Sequence, residues 1–88
     1  MPSVHVSLPA ALTSPDPPAV LHCEAETVGE ALRAAVAQAP RYAQRIFYGD
    51  RLLVGVILNG RHLPPVTALT TQLAAGDRVD VMPPVAGG

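Results

Sequence analysis

Hydrophobic and polar residues alternate near both ends of the 88-residue chain. Val4, Val6 and Leu8 are separated by polar residues, which predicts a half-buried strand. Similar alternation in segments 19–25 and 78–82 predicts two more strands. Segment 52–58 is almost entirely aliphatic and predicts a strand that is covered on at least one face.

One strong helix signal lies between the second and third of these strands. Residues 27–30 (TVGE) form a capping box, in which Thr27 accepts the backbone N–H of Glu30 and the Glu30 carboxylate reaches back to the N–H of Thr27. Pro40 ends the helix, because the residue before a proline is disfavoured in the α region. The apolar stripe of the helix, at helical spacing, consists of Val28, Leu32, Ala35, Val36 and Ala39.

Proline and glycine mark the connections between these elements. Four prolines between Pro9 and Pro18 predict a loop, since proline fixes φ and has no N–H for strand pairing. The pair Asn59-Gly60 predicts a tight hairpin leading to a short return strand at 61–63, because both central positions of a type I′ turn need positive φ.

The resulting order is strand, strand, helix, strand, short strand, strand. This order predicts an α+β fold of the β-grasp (ubiquitin-like) type, with a mixed sheet of four to five strands packed on one main helix. We assign residues 1–82 to this domain. Residues 83–88 are assigned to an extended C-terminal tail, because Pro83-Pro84 prevents further strand pairing.

Composition and charge exclude several classes of partner. The net charge is −1, and the six cationic residues are all arginine, so nothing indicates binding to nucleic acid or to an anionic membrane. No apolar run approaches the length of a membrane span. The N-terminal residues lack the pattern of a signal peptide, so we expect a cytoplasmic protein.

Few side chains are candidates for chemistry. Cys23 lies on the opposite strand face from His22, so the two cannot form a nucleophilic pair and Cys23 is predicted to be a buried structural thiol. His5 and His22 are predicted to meet across neighbouring strands, but two histidines alone do not make a zinc site. We therefore predict no metal site and no catalytic residues, and we expect the chain not to be an enzyme by itself.

Two surface hypotheses stay open. Three arginines lie among three aromatic residues in segment 41–51, and they form either a docking patch for an acidic partner or a solvated loop over the helix end. These residues are Arg41, Tyr42, Arg45, Phe47, Tyr48 and Arg51. Leu58 and Leu63, together with Val79 and Val81, either border a hydrophobic partner-binding patch or belong to the core.

The tail, residues 83–88 (PPVAGG), is the strongest functional candidate. Gly87 and Gly88 have no Cβ, so a narrow channel of a partner can close around their backbone. The two prolines stiffen the start of the tail and reduce the entropy lost on docking. At ~3.3 Å per residue the six residues extend roughly 20 Å. The alternative is that the glycines are merely a frayed chain end.

Three segments in order resemble the MoaD/ThiS family of sulfur carrier proteins. They are residues 56–60 (VILNG), residues 73–79 (LAAGDRV) and residues 83–88 (PPVAGG). In that family an ATP-dependent enzyme adenylates the terminal carboxylate, and sulfur then replaces AMP to give a thiocarboxylate. The resemblance implies that Gly88 is the adenylate and thiocarboxylate site. It also implies which residues are threaded into the partner, namely Pro84, Val85, Ala86 and Gly87.

The resemblance further implies three kinds of partner. They are a ubiquitin-activating-type adenylating enzyme that supplies ATP and Mg²⁺, a sulfur donor such as a sulfurtransferase, and a synthase subunit that accepts the sulfur. The domain itself is expected to bind no cofactor. Length and tail are most similar to the small subunit of molybdopterin synthase, which favours molybdopterin synthesis over thiamine, cysteine or secondary-metabolite synthesis.

Two departures from the family pattern concern the pathway. Segment 9–18 is longer than the first hairpin of the thiamine-pathway carrier, and segment 61–71 lacks the acidic character common in the family.

Two other classes of function also stay open. One is a protein modifier that forms isopeptide bonds through Gly88, and the other is a pure interaction module with an idle tail.

Overall fold

The main strands and the main helix follow one another in the predicted order, and several short elements are added. The computed structural model describes residues 1–83. The strands are β1 (Ser3–Leu8), β2 (Ala19–Glu24), β3 (Phe47–Tyr48), β4 (Arg51–Leu52), β5 (Gly55–Leu58), β6 (Arg61–His62) and β7 (Arg78–Met82). The helices are α1 (Ala10–Thr13), α2 (Val28–Gln38) and α3 (Ala43–Ile46), with 3₁₀ turns at Pro40–Tyr42 and Ala68–Thr70.

The main sheet has five strands in the order β2-β1-β7-β5-β6. The first and last strands lie side by side in its centre and run parallel, with Val6 opposite Val79. All other neighbours in this sheet are antiparallel. Helix α2 packs on one face, which gives the β-grasp arrangement and confirms the predicted fold class. Strands β3 and β4 form a separate two-stranded ribbon.

The core lies between α2 and the inner face of the sheet. Alternate residues of β1 and β7 point inward, and consecutive turns of α2 cover them. Because the side chains are mostly aliphatic, close packing rather than aromatic stacking fills the space. The most deeply buried of these residues are Val4, Val6, Leu8, Val28, Ala31, Leu32, Ala35, Val56, Val79 and Val81.

The predicted N-terminal cap of α2 is present, with one difference. The Oγ1 atom of Thr27 accepts the backbone N–H of Glu30 at 3.2 Å, as predicted. The Glu30 carboxylate accepts the N–H of Glu26 at 2.9 Å instead of the N–H of Thr27. The capping box therefore satisfies two backbone donors but extends one residue further towards β2.

Segment 9–18 is not simply a loop, as the prolines suggested. Residues 10–13 form the single helical turn α1, in which Leu12 and Thr13 are buried. The Thr13 hydroxyl donates to the carbonyl of Pro9 or Asp16, at 3.3 and 3.1 Å. The prediction was wrong here because the prolines flank this turn rather than interrupt it, and proline is tolerated at a helix start.

The single strand predicted at 52–58 is divided in two. Leu52 belongs to β4 and pairs with Phe47, and the Leu53 N–H donates to the carbonyl of Ile46 at 2.8 Å. Only residues 55–58 join the main sheet. The hairpin that follows is confirmed, since Asn59 and Gly60 have φ values of 50° and 85°.

Candidate functional site

The strand that precedes the tail lies in the middle of the sheet. Strand β7 is paired with β1 on one side and with β5 on the other. Val79 and Val81 are buried beneath α2, so packing also holds the strand from one face. Met82, its last residue, is paired with Gly55 of β5. The tail therefore starts from one of the best-fixed strands of the domain.

Pro83 ends the pairing on the β1 side. The His5 N–H donates to the carbonyl of Asp77 at 3.0 Å, so the odd-numbered residues of β7 direct their backbone groups towards β1. The same alternation would direct the donor of residue 83 towards β1, but proline has no N–H. Pro83 therefore removes a donor on the β1 side.

The residues predicted to act chemically or to enter a partner lie outside the described residues. They are Pro84, Val85, Ala86, Gly87 and Gly88. Their predicted roles stay predictions, and the described part of the site is the tail root, which we define as Gly55, Met82 and Pro83.

Hydrogen bonds of the Asp77 and Asn59 side chains fix the other end of β7, and we call this pair of residues the latch. The Asp77 carboxylate accepts the Ala74 N–H at 2.7 Å and the Asn59 side-chain amide at 2.9 Å. The Asn59 side-chain oxygen in turn accepts the N–H of Arg78 at 2.9 Å. The Ala74 N–H, followed by the Asn59 amide, lowers the pKa of the Asp77 carboxyl. The latch joins the β5–β6 hairpin to the turn before β7.

Sequence reasoning missed this latch, although both of its side chains lie in segments that carried the family resemblance. The hairpin prediction used only the backbone preference of Asn59, and no role was predicted for the side chain of Asp77. A signal was available, because Asn and Asp side chains commonly bond to nearby backbone groups in turns. What the sequence does not show is that the two turns are adjacent in space.

The remaining candidates for chemistry are structural. Cys23 is buried, as predicted, and burial raises the pKa of its thiol, which disfavours the reactive thiolate. His5 and His22 do meet across β1 and β2, with ring centroids 4.5 Å apart. Within residues 1–83 no group of three or more metal-ligating side chains is close enough to hold a metal ion.

Two of the six residues of the hypothetical docking patch in segment 41–51 are inaccessible to a partner, and the other four are exposed. Tyr42 and Phe47 are buried in the core. The Tyr42 hydroxyl donates to the Asp16 carboxylate at 2.8 Å, and Arg45 donates to the carbonyl of Leu12 at 2.7 Å. These contacts hold segment 9–18 against the domain. Tyr48, by contrast, is 77% exposed.

The second surface hypothesis separates into two parts. Val79 and Val81 belong to the core, because both are buried in its hydrophobic cluster. Leu58 and Leu63 are half-buried and line a shallow groove beside the β5–β6 hairpin, together with Arg61. The outer sheet face therefore contains no valine from β7.

The fold and the tail root define a class of protein: a ubiquitin-like β-grasp domain whose central strand leads into a tail with two terminal glycines. The ThiS family model matches residues 11–88, so the chain belongs to the ThiS family. It is thus a ubiquitin-like protein of the group that contains sulfur carriers and protein modifiers. The match includes both glycines of the tail.

Individual relatives agree with this assignment. The chain is 39% identical over 64 residues to small archaeal modifier protein 3 of Haloferax volcanii, covering 70% of each protein. It is 40% identical over 65 residues to small archaeal modifier protein 1 of the same organism, again covering 70% of each.

A solved structure extends the likeness to the whole fold. The solution structure of small archaeal modifier protein 1 from Methanosarcina acetivorans has a TM-score of 0.80 at 26% identity, with 100% of this chain and 98% of that chain covered. Among residues 1–83 we find no helix of the length and apolarity needed to cross a membrane.

Proposed function

We propose that this protein is a sulfur carrier whose reactive group is the carboxylate of Gly88. One observation carries the proposal: the central strand β7 leads directly into the tail, and the family match continues through Gly87 and Gly88. A rigid strand followed by two prolines suits a protein that must present a slender end to another protein. In this proposal the partner proteins recognise the domain, and the C-terminal carboxylate of the tail reacts.

The chemistry requires activation of the carboxylate. An ionised carboxylate is a poor electrophile, so one of its oxygens attacks the α-phosphorus of ATP, and pyrophosphate leaves. The product is an acyl adenylate on Gly88. A sulfide nucleophile then attacks the carbonyl carbon, the bond to the phosphate oxygen breaks, and AMP leaves. This gives a thiocarboxylate, which can attack an electrophilic acceptor.

The partners follow from these steps. ATP and Mg²⁺ are held by a ubiquitin-activating-type adenylating enzyme, and the sulfide comes from a donor such as a sulfurtransferase. The chain itself contributes a tail that is narrow enough to enter the active site of the enzyme. Gly87 and Gly88 let the enzyme enclose the backbone closely, and Pro83 and Pro84 lack the N–H groups that further strand pairing needs.

Adenylation is tested by ATP–pyrophosphate exchange with the cognate activating enzyme. We expect exchange to depend on this protein and to disappear when Gly87 and Gly88 are deleted. The shortened protein should unfold at the same temperature, since the deletion lies outside the domain. Exchange at the wild-type rate with the shortened protein would exclude every role for the Gly88 carboxylate.

For the sulfur acceptor we propose molybdopterin synthesis, on the similarity of length and tail to the molybdopterin synthase small subunit. The thiocarboxylated protein should then convert the sulfur-free pterin precursor when mixed with the large synthase subunit of the same organism. Conversion of a thiazole or cysteine precursor, with none of the pterin, would assign the carrier to another pathway.

Protein modification is a second candidate, favoured by one observation. Both relatives at 39% and 40% identity are small archaeal modifier proteins. In this function the Gly88 adenylate is attacked by a lysine amine of a target, and an isopeptide bond forms as AMP leaves.

The test for modification depends on where trypsin cuts this chain. The last cationic residue is Arg78, so the branch left on a target lysine would be residues 79–88 rather than Gly-Gly alone. Cellular digests should be searched for lysines that carry this whole segment. Finding it on many proteins would favour modification, whereas finding only free thiocarboxylated carrier would favour sulfur transfer.

A further inference from the structure

The cationic side chains of this protein are all of one type. A guanidinium stays protonated in proteins, so it does not attack an activated carboxyl group. A lysine amine loses its proton more readily, and its neutral form is a nucleophile. The difference concerns the Gly88 adenylate, which is an electrophile. The six cationic residues are Arg33, Arg41, Arg45, Arg51, Arg61 and Arg78.

The fold explains the choice of arginine at some of these positions. The guanidinium of Arg33 lies 3.7 Å from the centre of the Phe47 ring. That of Arg41 lies 4.9 Å from the centre of the Tyr42 ring, and its Nε is 3.0 Å from the Asp16 carboxylate. A planar guanidinium stacks on a ring and binds a carboxylate in ways that a lysine ammonium does not reproduce.

Arg51 and Arg61 have no such structural reason. Both are exposed, one in β4 and the other in β6. Within residues 1–83 neither guanidinium forms an ion pair or lies over an aromatic ring. Lysine would keep the charge at both positions and would serve the fold equally well. The difference that lysine would make is a nucleophilic amine.

Both arginines lie within the length of the tail. The six residues after Met82 extend roughly 20 Å, which is the reach of the Gly88 carboxylate. Arg51 is four residues before Gly55, the partner of Met82 in the sheet, so its Cα lies at most ~18 Å from Met82. Arg61 is paired with β5 three residues beyond Gly55, and lies within ~20 Å by the same measure.

The thiol and the α-amino group of the chain are both inaccessible to its own Gly88. Cys23 is buried, so its thiol does not meet a carboxyl group that approaches from solvent. The parallel register of β1 and β7 places Ser3 six residues, or roughly 20 Å, from the level of Met82. The α-amino group lies two residues further along, beyond the length of the tail.

We propose that Arg51 and Arg61 are specificity residues, which provide positive charge near the tail without an amine and so prevent capture of the Gly88 adenylate by its own chain. The acyl group then passes only to a sulfur nucleophile or to an amine of a different protein. This inference rests on the proposed function, because it concerns the adenylate of Gly88. It goes further by excluding this chain from the acceptors.

The step that these arginines prevent is an acyl transfer. A neutral lysine amine would attack the carbonyl carbon of Gly88, the bond to the phosphate oxygen would break, and AMP would leave with the bonding electrons. The nitrogen would then lose its proton to water. The product is an isopeptide bond, either within one copy as a ring or between two copies as a dimer.

The test uses Arg51→Lys and Arg61→Lys, with Arg51→Gln and Arg61→Gln as matched controls that also remove the guanidinium but add no amine. Each protein is incubated with ATP, Mg²⁺ and the activating enzyme, without a sulfide source. We expect the two lysine variants to form rings or dimers, with a loss of one water for each bond. Trypsin should release residues 79–88 joined to the introduced lysine. Wild type and the glutamine variants should keep their mass.

Three outcomes would contradict these expectations, and they are distinguishable. Lysine variants that keep their mass, while ATP–pyrophosphate exchange runs at the wild-type rate, would overturn the inference and leave the proposed function intact. Rings or dimers of the wild-type protein or of the glutamine variants would overturn it as well. Absence of exchange with the wild-type protein would overturn the proposed function, and this inference with it.

Discussion

Asp77 shows how a single residue can matter for stability at the surface. Its carboxylate accepts the Ala74 N–H and the Asn59 amide, and these bonds lower its pKa. A lowered pKa in the folded state means that the ionised form stabilises the protein. This contribution is present above the unfolded-state pKa of about 4 and is lost as pH falls through the lower folded-state pKa.

We therefore expect Asp77→Asn to reduce the free energy of unfolding at neutral pH by about 1 kcal/mol or less, since the site is open to solvent. Urea unfolding at several pH values measures the difference from wild type. It should shrink towards zero as the wild-type carboxyl becomes protonated. A difference that stays constant down to acidic pH would show that the charge of Asp77 does not contribute.

Gly29 gives a second prediction at the scale of one residue. Alanine normally stabilises a helix interior by about 0.5–1 kcal/mol relative to glycine. Here its Cβ would lie 2.9 Å from the Leu69 backbone oxygen, so the helix and the 3₁₀ turn would have to separate. We expect Gly29→Ala to lower the free energy of unfolding by about 1–3 kcal/mol in denaturant titration.

Gly55→Ala is the control for that change, since it is the same substitution at a site where the nearest atom, at 3.4 Å, belongs to the flexible side chain of Met82. It should leave the free energy of unfolding unchanged or raised. If both glycine-to-alanine changes behaved alike, the close contact between α2 and Leu69 would not be the cause.

At the scale of elements, Arg33 connects α2 to the β3–β4 ribbon. Its guanidinium lies 3.7 Å from the centre of the Phe47 ring and donates to the Gly49 carbonyl at 3.1 Å. An ion pair with Asp50 at 3.6 Å is exposed and adds little. The contact with the aromatic face therefore provides most of the attachment.

We expect Arg33→Ala to cost about 1 kcal/mol and to loosen the ribbon more than the main sheet. Amide hydrogen exchange of Leu53, which donates to Ile46, should become faster, while exchange in β1 changes little. Arg51→Ala is the matched control, because Arg51 is an exposed arginine of the same ribbon. Equal effects of the two variants would argue against a specific attachment through Arg33.

The elements also show how far the sequence determines the fold. The periodicity of β1, β7 and α2 predicted their faces correctly, because each element buries one side against the core. Segment 41–52 was not predictable in this way. Its short elements are fixed by distant contacts, such as that of Tyr42 with Asp16 and that of Arg45 with Leu12, which no local pattern reveals.

The candidate site was predictable to a different degree. The Gly-Gly end and the double proline could be recognised from the sequence alone, and the comparisons agree on the family. The position of Gly55 opposite Met82 could not be recognised, because it depends on the pairing of β5 with β7, which is a property of the folded sheet.

At the scale of the whole molecule, the proposed function makes the β-grasp domain an anchor for the tail. Strand β7 is held by neighbours on both sides up to the residue before Pro83, and the latch at Asp77 fixes the other end of the strand. In the proposed function the reactive atom is the carboxylate carbon of Gly88. The account therefore assigns recognition to the domain and chemistry to Gly88.

The intact mass of the protein tests this central claim most directly. The protein is incubated with ATP, Mg²⁺, its activating enzyme and a sulfide source, and is then digested with trypsin to locate any change. We predict a mass gain equal to the exchange of one oxygen for one sulfur, confined to the fragment of residues 79–88. An unchanged mass with a demonstrably active enzyme, or sulfur located in the fragment that contains Cys23, would contradict the account.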